Sequence, residues 1–343
     1  MRVRKIGIVS LSSGVLGEDF VLHEVKIGIE RLKKYGIEVE FLPNSKKGIE
    51  FIKNNPKERA EDLIKAFKDD SIDMILCAIG GDDTYRLLPY LFENSELEKV
   101  AKQKIFLGFS DTTINHLMLN KVGIKTFYGQ AFLPDVCELS NEMLPYSKHF
   151  FEELINNGKI KEIYPSDVWY NEREDFSEKA IGISMEEHHN SGFELIRGDA
   201  KFEGQVLGGC LDSIFNIFDT PRYEDTVSLC QKYNLFPSLN EWENKILLLE
   251  TSEEKPKPEL FRKMILKLQE YGIFDVISGL IIGKPQNEEY YEEYKQILLD
   301  EIKKQDLSIV YNINVGHSTP RCIIPFGVDA KVDVEKQIIE FKE

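Results

Sequence analysis

Residues 104–117 read KIFLGFSDTTINHL. An apolar run, Ile105 to Leu107, reaches Gly108, and beyond Ser110 the pattern becomes helical. A strand that turns at once into a helix is the repeating unit of a parallel sheet. The question is what a serine does at that corner. Serine and aspartate are good helix N-caps, so Ser110 and Asp111 can simply serve the first free N–H groups of the helix. The same corner suits a nucleophile, because a sharp turn projects the hydroxyl beside unpaired backbone N–H donors. On this stretch alone both readings stand.

Upstream the same texture repeats. KIGIVSL is followed by the amphipathic VLHEVKIGIERLKKYG, the short strand EVEFLP, the charged helix ERAEDLIKAFKDD and the apolar strand IDMILCAIG. DDTYRLLPYLFE, IFLGF, a helix through NHLMLNKVG and the strand KTFYG complete the first half. This alternation predicts an α/β fold, with an N-terminal parallel-sheet domain of flavodoxin-like type over residues 1–165. Ligands bind such sheets outside the carboxyl ends of the strands, where Gly80, Gly81 and Ser110 fall. Residues 166–195 are polar, acidic and irregular and read as a linker and substrate loop, with His188 and His189 in it. Residues 196–343 mix strands (AKFEGQVLGG, KILLLE, ISGLIIG, SIVYNINVG) with helices and end in a hairpin, which predicts a C-terminal mixed α/β domain.

The chain of 343 residues is long enough for two such cores, and 42% hydrophobic with 30% charged residues is ordinary for a globular protein. A net charge of −16 argues against nucleic acid or an anionic membrane as partner. No apolar run approaches the roughly 20 residues of a membrane span. The opening MRVRKIGIVSLSSG reads as a first strand, since its apolar stretch is too short for a signal peptide. Cys77, Cys137, Cys210, Cys230 and Cys322 are scattered without CxxC spacing, which suits free thiols in a reducing cytoplasm and offers no zinc site. Neither a metal nor a cofactor is expected.

A serine becomes a nucleophile when a base takes its proton, and the base is usually a histidine oriented by a carboxylate. His23, His116 and His149 fall in predicted helices. His317 differs, because it follows the apolar strand IVYNINVG and opens the loop GHSTPR. KILLLETSEEKP puts Glu250 at another strand end, with Glu253 and Glu254 further into the loop. Each of these residues has a plain alternative, a solvated loop carboxylate or a strand-end histidine without a task. Yet Ser110, Glu250 and His317 all stand at carboxyl ends of predicted strands. In AIGGDDTYRLLPYL the two glycines allow close backbone approach, and a helix starting near Asp82 or Asp83 would strengthen the field of their N–H groups. With the Asp111 N–H, Gly81 can form an oxyanion hole. A phosphate-binding turn is the competing reading, though no GxGxxG or GKS/T accompanies it.

Together these stretches resemble the LD-carboxypeptidases and the related microcin C immunity proteins, which are serine peptidases. The resemblance spans nearly the whole chain, through ERAEDLIKAFKDDSIDMILCAIGG, RLLPYL, GFSDTT, FEGQVLGGCLDSI, LLLETSEEKP and GHSTPRCIIPFGVDAKVD. It implies Ser110 as nucleophile, His317 as general base and acid, Glu250 as the residue orienting His317, and Gly81 and Asp111 N–H groups as oxyanion donors. Gly80, Asp82 and Trp169 would touch the substrate. A homodimer is implied as well.

The family divides by substrate. One branch trims the terminal D-amino acid of murein tetrapeptides; the other cleaves the acyl group from a toxic nucleotide of microcin C type. Murein trimmers usually carry an arginine where this chain has Ile79, and immunity-type members have a longer loop whose tryptophan stacks on adenine, which YPSDVWYNERED with Trp169 resembles. The favoured substrate is therefore an aminoacyl- or peptidyl-nucleotide, and the alternative a murein peptide. The family's Gly-Gly-Asn is Gly208-Gly209-Cys210 here, and Thr84 and Tyr85 replace small residues. These departures leave room for a further alternative, a non-catalytic protein that sequesters a peptide or nucleotide. Cys210 as a rival nucleophile lacks a histidine motif around it.

Overall fold

In the computed structural model, which describes residues 2–220 and 222–342, β1 (Lys5–Val9), β2 (Glu38–Phe41), β3 (Met74–Cys77), β4 (Ile105–Gly108) and β5 (Thr126–Tyr128) lie parallel in the order 2-1-3-4-5. That is the flavodoxin-type strand order. β3 and β4 are buried throughout, and β1 from Ile6 onward, which is why they read as continuous apolar runs and not as alternation. The helices Leu22–Lys34 and Pro56–Lys68 bury one face each, through Val25 and Leu32 and through Leu63 and Phe67. Pro56 opens the second of them, where its missing N–H costs nothing.

The second sheet runs in the order Glu162–Ile163, Ile338–Lys342, Asp329–Asp333, Lys201–Cys210, Lys245–Glu250, Gly279–Gly283, Ser308–Ile313, Glu194–Arg197. Its four inner strands are parallel and its flanks antiparallel. The sheets also exchange strands. Glu162–Ile163 joins the second sheet, while Ile324–Phe326 returns to pair antiparallel with β5 at the edge of the first.

Two expectations are corrected. Residues 166–195 are not a bare loop, because Val168–Tyr170 pairs with Glu187–His189 as a hairpin and a strand starts at Glu194. Three-residue strands built as VWY and EHH are too short and too polar for period-2 alternation to show, and His188 and His189 lie in one of them. The helix expected near Asp82 or Asp83 does start there, at Thr84, but as a 3₁₀ turn and not as an α-helix. That turn, Thr84–Leu87, leads into the short helix Leu88–Phe92, so the glycine pair faces a turn and not the first turn of a long helix.

What the architecture supplies is a shared edge. β3 ends just before Gly80 and Gly81, β4 just before Ser110, Lys245–Glu250 at Glu250 itself, and Ser308–Ile313 four residues before His317. Among the described residues no helix is long and apolar enough to cross a membrane.

Candidate active site

Ser110 stands in the left-handed region, with φ at +65°, between the extended Phe109 and the 3₁₀ turn Ser110–Thr112 that feeds the helix Thr113–Lys121. Such a conformation costs a non-glycine residue about 1–3 kcal/mol. Its side chain makes no cap bond to the helix. Instead Ser110 Oγ lies 3.1 Å from His317 Nε2, and His317 Nδ1 lies 2.8 Å from Glu250 Oε2. The His317 backbone N–H donates to the same Glu250 oxygen at 3.1 Å. All three residues are nearly buried, at 7%, 7% and 1% exposure, so their charges act on one another with little screening. Gly316, with φ at +74°, makes the approach possible, since a Cβ there would fall 2.2 Å from the Glu250 carboxyl carbon.

The glycine pair fits around Ser110. A Cβ on Gly80 would stand 2.5 Å from Ser110 Cβ and 3.4 Å from the Asp111 nitrogen; one on Gly81 would collide with Ser12 Oγ at 2.3 Å. The backbone of residues 80–81 therefore lies close against Ser110 and the start of its turn. The Asp111 carboxylate accepts from Ser12 Oγ and from the Thr84 N–H, tying the loops after β1, β3 and β4 together, and its burial lifts the carboxyl to about 6. Asp82 is the exposed member of the turn, bonded to Tyr223 Oη at 3.1 Å with Arg222 at 3.5 Å. Trp169 is placed in the hairpin and is 8% exposed; the His188 ring stacks on it at 4.3 Å and the Lys284 ammonium lies 5.1 Å from its centre.

Two neighbours of these residues were given no role from sequence. Tyr128, the last residue of β5, accepts from the Ser110 N–H at 3.2 Å and donates to Glu250 Oε1. Burial and the neighbouring Glu250 charge hold its phenol protonated, so it donates at all working pH values. The available signal was positional, because KTFYG ends a strand at the same sheet edge. Glu253 is the other, with Oε2 2.8 Å from His317 Nε2. Tyr128→Phe removes the link between the Ser110 backbone and Glu250. It is expected to lower kcat about 10- to 100-fold with KM little changed, as for a lost hydrogen bond to a charged group. Steady-state kinetics beside a melting curve check it.

The electrostatics of His317 are set by carboxylates. Burial works to lower it, but Glu250 and then Glu253 hold it at about 10, while Glu253, which burial alone would raise, drops to about 2 beside the imidazolium. Cys210, Glu250 and His317 carry ligand atoms within 4.8 Å of one another, compact enough for an ion. Glu250 and His317 are, however, bonded to each other, and burial pushes the Cys210 thiol well up, so no thiolate is offered. All five cysteines are free.

Comparison with known proteins supplies the context. A family model described as the LD-carboxypeptidase N-terminal domain matches residues 6–129, and one described as its C-terminal domain matches residues 203–332. An MccF-like protein from Streptococcus pneumoniae, solved in complex with AMP, is 65% identical over 99% of both chains with a TM-score of 0.98. The microcin C7 self-immunity protein MccF of Escherichia coli is 24% identical over 84% of this chain and 78% of its own. Its structure with aspartyl sulfamoyl adenosine shares the fold, at a TM-score of 0.79 over 100% of this chain and 97% of that one. A Bacillus subtilis protein named as a probable murein peptide carboxypeptidase is 23% identical over 89% of this chain and 83% of its own.

Proposed function

The chain belongs to the LD-carboxypeptidase family and is a serine-type carboxypeptidase, and from that premise we propose that Ser110, His317 and Glu250 carry its hydrolysis, on an aminoacyl- or peptidyl-nucleotide of the microcin C type. The observation that carries the proposal is the continuous relay from Ser110 Oγ through His317 to Glu250, at 3.1 and 2.8 Å. His317 Nε2 takes the hydroxyl proton as Ser110 attacks the acyl carbonyl, and returns it to the leaving group as the acyl-enzyme forms. Water, activated by the same nitrogen, then releases the acyl group. Glu250 keeps the Nδ1–H tautomer and balances the imidazolium. The Gly81 and Asp111 N–H groups receive the oxyanion, a contribution of about 10²–10³ in rate per donor.

For the substrate, the support is that the 65% identical pneumococcal relative was solved with AMP. Gly80, packed against Ser110, and Asp82 are assigned to the substrate. Trp169 is assigned to the nucleobase, which stacks on it only after His188 or Lys284 yields. With this reading goes a cytoplasmic homodimer acting on a small molecule and not on nucleic acid or a membrane. A murein tetrapeptide is the second reading, favoured by the name of the Bacillus subtilis relative. Purified protein incubated with aspartyl sulfamoyl adenosine and with a murein tetrapeptide, followed by mass spectrometry, separates the two. Release of sulfamoyl adenosine is expected, and turnover of the tetrapeptide alone overturns the nucleotide assignment.

A further inference from the structure

His317 Nε2 has two partners in this structure, Ser110 Oγ at 3.1 Å and Glu253 Oε2 at 2.8 Å. They make opposite demands. To take the serine proton, Nε2 must present a lone pair. To lie 2.8 Å from a carboxylate oxygen, it must carry hydrogen, since an ionised carboxylate only accepts. With Nδ1–H given to Glu250, a proton held on Nε2 by the Glu253 carboxylate makes the ring an imidazolium, which cannot act as a base. The arrangement is a resting one, and Glu253 has to leave before catalysis begins.

What removes it follows from position. The scissile carbonyl must sit beside Ser110 Oγ and Nε2, so a substrate cation one carbon away from that carbonyl comes within reach of a carboxylate touching Nε2. Glu253 is free to turn towards it, because its side chain is 60% exposed on the turn after Glu250. The remaining charges around His317 do not substitute for it. Glu250 is bonded to Tyr128 and to the ring itself, and Asp212 accepts from the Ser252 N–H, with burial raising its carboxyl. Arg321 stands behind Phe109, the ring that packs on His317, close to Asp135, and Arg222 is paired with Asp82. The Cys210 thiol is neutral.

We infer that Glu253 is a substrate-displaced latch that binds the free α-ammonium of an aminoacyl substrate and, by leaving His317, frees Nε2 to act as the base. The inference rests on the aminoacyl-nucleotide reading and narrows it to substrates whose amino group is unblocked. The proton on Nε2 passes to solvent as the ammonium takes the carboxylate, and the lone pair then receives the Ser110 proton.

The test compares aspartyl sulfamoyl adenosine with its N-acetyl form, measuring kcat and KM from pH 5 to 10 for the wild type and for Glu253→Gln. The wild type is expected to favour the free amine about 10- to 100-fold in kcat/KM, the scale of one charged hydrogen bond. Glu253→Gln should erase the preference, raising KM for the free amine and improving the acetylated substrate. Because a carboxylate raises the pKa of a neighbouring histidine, the limb of kcat/KM that rises with pH should move down by about one unit or more in the variant. A preference unchanged in Glu253→Gln, or a limb that stays in place, overturns the latch while the enzyme remains a nucleotide-directed peptidase. A wild type inert to both nucleosides overturns the substrate reading and the latch with it.

Discussion

Ser110→Ala should reduce hydrolysis by at least about a thousandfold, the scale on which loss of a triad nucleophile is felt, and leave the melting temperature within about 2 °C. The two halves of this expectation have separate causes. Activity falls because no other group near His317 can form the acyl-enzyme. Cys210 Sγ lies within 4.8 Å of a His317 ring nitrogen, and burial keeps it protonated. Stability holds because Ser110 Oγ is bonded to His317 alone among the described residues, and the Glu253 carboxylate still stands 2.8 Å from Nε2 when the hydroxyl is gone. Alanine also meets the φ of +65° on much the same terms as serine. Nucleoside release followed by chromatography, beside a thermal melt of both proteins, gives the comparison. Activity above a few per cent of wild type would move the nucleophile elsewhere.

Arg59→Met should do the reverse, damaging the fold first. Arg59 is fully buried on the helix Pro56–Lys68 and holds Asp83 through two bonds at 2.6 and 3.3 Å, while the same Nη1 donates to the carbonyls of Leu11 and Ser12. Asp83 is 2% exposed, so removing the guanidinium strands a carboxylate away from water. Arg86, at 3.7 Å from Asp83, is too far to replace the bonds. A broken buried pair costs about 3–5 kcal/mol, against nearly nothing when both partners become apolar. Urea unfolding should therefore show a loss of about that size for Arg59→Met and a large recovery in Arg59→Met with Asp83→Leu. Activity should suffer too, because Leu11–Ser12 and Asp83 flank the Gly80–Gly81 turn. A single-variant loss below about 1 kcal/mol would mean that the pair does not hold this corner.

Much of this was legible from sequence where local pattern and global fold agree. β3, β4 and the strand Lys245–Glu250 are buried on both faces and so are written as unbroken apolar runs, and the residue that ends each run is where chemistry collects. Ser110, Glu250 and His317 could be singled out one at a time for that reason. The hairpin at Val168–Tyr170 could not, because its partner Glu187–His189 is polar and half exposed. Ile324–Phe326 was hidden by Pro325, a residue tolerated there because the strand lies at a sheet edge. The placement of Tyr128 and Glu253 against the other residues could not be read for a different reason. A strand-end tyrosine and a loop glutamate have no signature of their own, and their meaning comes only from which atoms stand opposite them.

The strand Ile324–Phe326 makes the two halves of the chain mutually dependent. It seals the flank of β5, whose last residue is Tyr128, and stacks Phe326 on the Tyr128 ring at 5.1 Å. A protein truncated before residue 324 would leave that flank bare and the tyrosine unsupported, loosening its bond to the backbone of Ser110, some two hundred positions upstream. Swapping front and back halves between relatives should accordingly fail unless this late segment travels with the front half it closes.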